Sequence, residues 1–196
     1  MQDFAETFTL NPAHRQTLLA LARHSIVQGL ETGRPLPVAP EEFDEPLRAR
    51  RAAFVTLTTG GRLRGCIGHL EAIQPLVRDV ADNAFAAAFR DPRFPPLTTG
   101  ELEDLQIEIS VLTPATPLSF GSEAELLALI EPGRDGLILE AGAARGTFLP
   151  AVWESLPDRR DFLRHLKQKA GLPPDYWSDR LRVSRYRTEA FGEGEG

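Results

Sequence analysis

The chain has 196 residues, 42% of them hydrophobic and 26% charged, which is enough apolar material for a sizeable core in one domain or two small lobes. That composition excludes a disordered or fibrous chain. The net charge of -6, from 22 basic and 28 acidic residues, argues against nucleic acid as a partner, because a phosphate backbone calls for a basic stripe.

The opening residues, MQDFAETFTLNPAH, lack the basic and apolar regions of a signal peptide, and no stretch approaches the ~18 consecutive apolar residues of a membrane span. A single cysteine also argues against a disulfide-built secreted domain, so the expected compartment is the cytoplasm, without membrane association. Asn11 followed by Pro12 predicts a helix start, and Leu18, Leu19, Ala22, Ile26 and Leu30 then recur at helical spacing until Gly33. Residues 34–48, rich in Pro and acidic groups, read as a long surface connection with one helical turn near Glu41 to Asp44.

Ala53 to Thr59 is β-branched, aromatic and apolar, Gly60 and Gly61 supply a two-residue turn, and Arg62 to Leu70 runs back. With Thr59 opposite Arg62, an uninterrupted register places Thr56 opposite Gly65, Val55 opposite Cys66 and Phe54 opposite Ile67. Apolar pairs on both faces predict strands covered on each side, inside a sheet.

Pro75 opens a second helix through Val77, Val80, Ala84, Phe85 and Ala88, and the stretch from Asp91 to Pro96 ends it because Pro neither donates nor tolerates helix before it. After a turn near Glu101, Leu105, Ile107, Ile109 and Val111 alternate with Gln106, Glu108 and Ser110, the pattern of a strand with one apolar face. Ser122 with Glu125 forms a capping box, and Gly133 to Gly136 turns the chain into the strands Leu137 to Glu140 and Gly146 to Leu149. Asp158 and Asp161 start a helix carrying Phe162, Leu163, Leu166 and Ala170, stopped by Gly171 and Pro173-Pro174. Leu181 to Phe191 reads as one closing strand, and the terminal GEGEG has nothing to bury and is expected to be mobile. Irregular alternation with an antiparallel hairpin predicts an α+β fold.

Cys66 is the only cysteine, set between Gly65 and Gly68 in LRGCIG. Alternate strand residues share a face, so Arg64, Cys66 and Gly68 are expected to point one way, with space at Gly68 beside the sulfur and Arg64 on its other side. A guanidinium near a thiol favours the nucleophilic thiolate. A buried cysteine packed against Val55 is the plainer account, and the residues alone leave both open. His69, three positions along, falls on the opposite face about 10 Å away unless a bulge at Gly68 turns it back. Glu108 lies on the polar face of its strand, ordinary for a solvated surface and of interest only if that face borders a cleft. The four histidines are far apart and no ligand spacing occurs, so no metal site is expected; no motif names a cofactor.

LRGCIG, together with DPRFPPL at Asp91 to Leu97, LQIEISVLTP at Leu105 to Pro114, GRDGLIL at Gly133 to Leu139, FLPAV at Phe148 to Val152, KQKAGL at Lys167 to Leu172 and YRTEAF at Tyr186 to Phe191, resembles the AMMECR-type domain family, whose microbial members are called AmmeMemoRadiSam system protein A. The resemblance spans nearly the whole chain. It implies an α+β fold in two lobes, here expected as a large lobe of residues 1–117 and 177–196 and a small lobe of 118–176. It further implies an interlobe cleft faced by Leu63, Gly65, Cys66, Ile67, Gly68 and His69, the last standing where the family usually has Thr. The expected source is bacterial.

The resemblance implies no activity of its own, but its context of Memo-type and radical-SAM proteins suggests two readings. One is an enzyme or enzyme component of a modification pathway, with Cys66, Arg64 and Glu108 as candidate catalytic residues. The other is a non-catalytic adaptor holding a protein or peptide, with Gly65 and Gly68 admitting its backbone.

Overall fold

The computed structural model describes residues 9–194, and these fold into two compact units, one of Thr113–Thr188 and one formed by the described residues on either side of it. Residues 1–8 and 195–196 lie outside the described residues, and with them the start of the opening stretch read for a signal peptide and the last two residues of the GEGEG tail. The fold is α+β, with two four-stranded sheets.

The first unit opens with helix α1, Pro12–Thr32, capped by the Asn11 side chain on the His14 amide, as the Asn-Pro pair predicts. Strands β1, Ala53–Thr59, and β2, Arg62–Gly68, form the hairpin, with Gly60 and Gly61 both at positive φ (58° and 75°), which a two-residue hairpin turn requires. Helix α2, Leu76–Phe89, follows, then β3, Leu105–Leu112; the last strand, β8, is Thr188–Gly192, and the sheet runs β2-β1-β3-β8. Alternation decides which face is covered: Val55, Leu57, Ile107 and Ile109 are fully or almost fully buried and point toward α1 and α2. The opposite face, with Thr56, Thr58, Gln106, Glu108 and Ser110, is half-buried to exposed and carries none of this unit's helices.

The structure corrects three expectations here. The hairpin register is interrupted between Leu57 and Thr58, where Arg64 is the extra residue, so Cys66 stands opposite Thr56, Ile67 opposite Val55 and Gly68 opposite Phe54. Strand β2 is an edge and not an interior strand. The tail is fastened as far as Glu193, whose carboxylate accepts from Arg23 Nη2 at 2.6 Å and from the Ile107 amide at 3.1 Å.

The second unit holds β4, Thr116–Pro117, helix α3, Glu123–Leu129, the hairpin β5, Gly136–Ala141, and β6, Ala144–Phe148, helix α4, Arg159–Lys169, and β7, Arg182–Tyr186. The sheet order is β4-β7-β5-β6. Its core centres on Phe162, stacked on Trp153 at 3.7 Å between ring centroids and edge-on to Phe148. The stretch expected as one closing strand divides at Arg187: Tyr186 ends β7 while Thr188 begins β8, and Arg187 exchanges hydrogen bonds with Thr113. Within this unit β7 pairs with both β4 and β5. Burial pushes the Tyr186 hydroxyl up to about 12.

Candidate functional site

The register fixes one row across the face of the first sheet turned away from α1 and α2. Thr56 pairs with Cys66 on one side and with Glu108 on the other, so all three side chains rise from the same face. Two interstrand spacings separate Cys66 from Glu108, about 10 Å between Cα atoms. Cys66 is half-buried, and the Thr56 hydroxyl donates to its sulfur at 3.3 Å. A thiol beside a hydroxyl donor, with a carboxylate two strands away on the same face, is an arrangement suited to nucleophilic chemistry.

The edge position of β2 leaves the Cys66 amide pointing away from the sheet, and Asp91 Oδ2 accepts from it at 3.0 Å. The same oxygen accepts from Arg93 Nη2 at 2.8 Å, and Oδ1 accepts from Arg93 Nε at 3.0 Å. Two hydrogen bonds in series therefore tether a guanidinium to the backbone of Cys66. The bonds from Arg93 hold the Asp91 carboxyl well below the usual carboxylate range, against its burial and with help from the Cys66 and Arg93 amides. Arg93 is held up chiefly by its hydrogen bonds to Asp91, against desolvation.

Arg64 is the extra residue of the bulge, and its Nη1 is buried without a hydrogen-bond partner among the described residues. Displaced by the bulge, its guanidinium donates to Glu101 at 2.7 Å and to the Pro95 carbonyl at 2.9 Å, over the Phe94 ring. The Arg64 bond pushes Glu101 down to about 2, against burial and with support from Thr98. The cation tied to the cysteine is thus Arg93.

Both glycines are filled from within. A Cβ at Gly65 would collide with the Ala87 carbonyl oxygen, because α2 lies directly on the strand there. At Gly68 it would strike the Phe54 ring and the Ala53 carbonyl, so the space expected beside the sulfur is occupied by Phe54. Ile67 packs against the core, and Leu63 is 44% exposed.

His69 forms a separate cluster. Its Nδ1 lies 2.6 Å from Asp79 Oδ1, a buried carboxylate on α2 that also accepts from the Ala53 amide, Asn83 Nδ2 and Gln74 Nε2. Burial raises the Asp79 carboxyl, opposed by the bonds from Gln74, His69 and Ala53. His69 thus faces the α2 side of the sheet and Cys66 the other, as the strand period predicts.

Of the expected residues, then, Cys66, Glu108 and Gly68 share a face, whereas Arg64, Gly65, Ile67 and His69 are turned to other partners. Sequence reading missed Thr56, Asp91 and Arg93. The one signal in the sequence was the acidic Asp91 two residues beyond the end of α2, and nothing local ties it to Cys66. Among the described residues no group of three or more His, Cys, Asp or Glu side chains is placed to hold a metal ion, and no helix is long and apolar enough to cross a membrane. An open groove of about 620 Å³ in the second unit, lined by Ala124, Leu127, Ala128 and Pro157 with Asp158 to Arg160, offers no thiol, hydroxyl or imidazole.

Comparison with known proteins gives the family. The AMMECR1 family model matches residues 19–191. A protein of Methanothermobacter thermautotrophicus is 42% identical over 184 residues, covering 91% of this chain and 93% of its own. A protein of Methanopyrus kandleri is 42% identical over 183 residues, covering 91% and 87%. The crystal structure of an uncharacterized protein from Pyrococcus horikoshii superposes with a TM-score of 0.80 at 38% identity, covering 90% of each chain. These relatives are archaeal and lend no support to a bacterial source. Matched along nearly its whole described length by sequence and by structure, the chain belongs to the AMMECR1 family.

Proposed function

We propose that this chain is an enzyme, or the thiol-bearing component of one, in which Cys66 acts as a nucleophile on the face of the first sheet turned away from α1 and α2. The observation that carries the reading is the row Cys66, Thr56, Glu108. Thr56 stabilises negative charge on the sulfur by hydrogen bonding, and Glu108 stands across the row to exchange a proton with the group that arrives or departs. The thiol gives its proton to solvent, and the thiolate forms a bond from sulfur to an electrophilic carbon as the leaving group departs with its electron pair and takes a proton that the Glu108 carboxylate relays from water. The reducing cytoplasm, where a lone thiol stays free, suits such a role. Memo-type and radical-SAM proteins, which the family resemblance suggests as partners, form the modification context for this reading.

The adaptor reading drew on Gly65 and Gly68 as openings for a partner's backbone, and those openings are filled by α2 and Phe54. The test is the rate of Cys66 alkylation against pH, native and unfolded, followed by intact mass. Faster reaction in the native state, together with loss of product formation in Cys66→Ser when the chain is assayed with Memo-type and radical-SAM proteins, supports the nucleophile. Native protection, with Cys66→Ser still joining those partners as the wild type does, overturns it in favour of an adaptor.

A further inference from the structure

The cation beside Cys66 is set up to meet something. Arg93 is 54% exposed, yet it is not free to wander, because Nε and Nη2 are both bound to Asp91, itself only 2% exposed and bonded to the Cys66 amide. A planar guanidinium held along one edge presents its other edge in a fixed direction. Among the described residues Arg93 bonds Asp91 through Nε and Nη2, and Nη1 takes no part in that pair. The neighbouring Arg64 donates to Glu101 through Nε and Nη2 and to the Pro95 carbonyl through Nη2, while its Nη1 is buried without a hydrogen-bond partner. Glu108, two strands away, places negative charge on the opposite side of the sulfur.

From this arrangement we infer that the Cys66 site takes a substrate bearing a carboxylate next to its electrophilic carbon, with Arg93 as the specificity-determining residue and Asp91 as the positioning residue that aims it. The inference rests on the thiol reading above and deepens it by naming a substrate class. The carboxylate lies toward the β2 edge, against the free edge of Arg93, and away from Glu108. The carbon beside it is then presented to the sulfur.

Two small reagents that differ in this one feature test the idea. Iodoacetate and iodoacetamide both react by attack of the thiolate on a methylene carbon, with sulfur–carbon bond formation and loss of iodide, but only the first carries a carboxylate. The rate ratio of iodoacetate to iodoacetamide is measured at Cys66 by intact mass for the native chain and for the same chain in urea. The expected native ratio exceeds the unfolded one by about threefold or more, as a single partly screened charge pair gives. It falls with added salt. Arg93→Gln returns the ratio to the unfolded value, Arg93→Lys retains most of the preference, and Asp91→Asn weakens it by releasing the aim of the guanidinium.

A native ratio equal to the unfolded one, or a ratio that Arg93→Gln leaves unchanged, overturns the carboxylate preference while leaving a reactive Cys66 intact. Native resistance to both reagents overturns the thiol reading and this inference with it. If Arg93→Gln does not fold, Arg93→Lys and the salt dependence of the wild type decide the matter.

Discussion

Thr56 and Cys66 face each other across the first hairpin, and the threonine hydroxyl donates to the sulfur at 3.3 Å. A one-residue interruption of the register creates that pairing; without the bulge, Cys66 would stand opposite Val55, on the core face. The bulge is therefore what turns the thiol away from the hydrocarbon core. Thr56→Val keeps the shape and removes the donor. It is expected to slow alkylation of Cys66 at neutral pH by about fivefold, the effect of losing about 1 kcal/mol of hydrogen bonding to the charged sulfur. Thr56→Ser should restore the rate, and an unchanged rate in the valine variant would show that the hydroxyl does not act on the sulfur.

Gly65 is a packing requirement of the helix above it. Because a Cβ there would land on the Ala87 carbonyl oxygen, and backbone cannot yield as a flexible side chain can, Gly65→Ala should lower stability by about 2 kcal/mol or more. Urea unfolding followed by far-ultraviolet circular dichroism checks this, and a midpoint equal to wild type would place α2 farther from β2 than described.

In the second unit, Phe162 is fully buried, stacked on Trp153 and edge-on to Phe148. Both tryptophans of the chain, Trp153 and Trp177, belong to this unit, so their fluorescence reports its unfolding. Phe162→Ala is expected to cost about 3–5 kcal/mol and to move the fluorescence transition accordingly. A shift below about 1 kcal/mol would mean that the aromatic stack is not the centre of that core.

Much of the fold was legible because local signals agree with the tertiary outcome. Asn11-Pro12, Gly60-Gly61, Ser122 with Glu125 and Asp158 each mark an element boundary that forms where the side-chain chemistry puts it. The alternation Leu105, Ile107, Ile109, Val111 gave β3 and its buried face. The site was less legible, since it depends on a bulge that no local residue pattern announces. One extra residue at Arg64 changed which side chains meet across β1 and β2 and moved the guanidinium onto Glu101. Asp91 and Arg93 reach Cys66 only through tertiary folding, 25 residues separating Asp91 from the amide it binds. The division of 181–191 into two strands likewise follows from sheet pairing, which periodicity alone does not reveal.

Asp91 gives a pH signature. Its folded-state carboxyl lies below the ordinary value of about 3.9, chiefly through Arg93, so its contribution to stability is complete above that ordinary value and is lost as pH falls through the lower folded one. Asp91→Asn keeps an acceptor but no charge, and should be less stable than wild type by about 1–2 kcal/mol at pH 7. The difference should shrink as pH is lowered below about 4, where the unfolded wild-type carboxyl takes up its proton. Thermal unfolding of both chains from pH 7 to pH 2.5 measures it, and a constant gap across that range would show that the carboxylate's charge is not what matters.

Arg64 supplies the contrasting case. Its guanidinium pairs with Glu101 at 2.7 Å, and that bond is the largest cause of the low Glu101 carboxyl, at about 2. Arg64→Gln should let Glu101 return toward about 4.3, the value of an unperturbed glutamate, visible in a carboxyl-resolved NMR titration. Because the cation tethered to the cysteine backbone is Arg93, the same variant should change the iodoacetamide rate at Cys66 by less than about twofold, a small perturbation for a charge paired with Glu101. A slowing of tenfold or more would return Arg64 to the side of the thiol and remove the reason for assigning that place to Arg93.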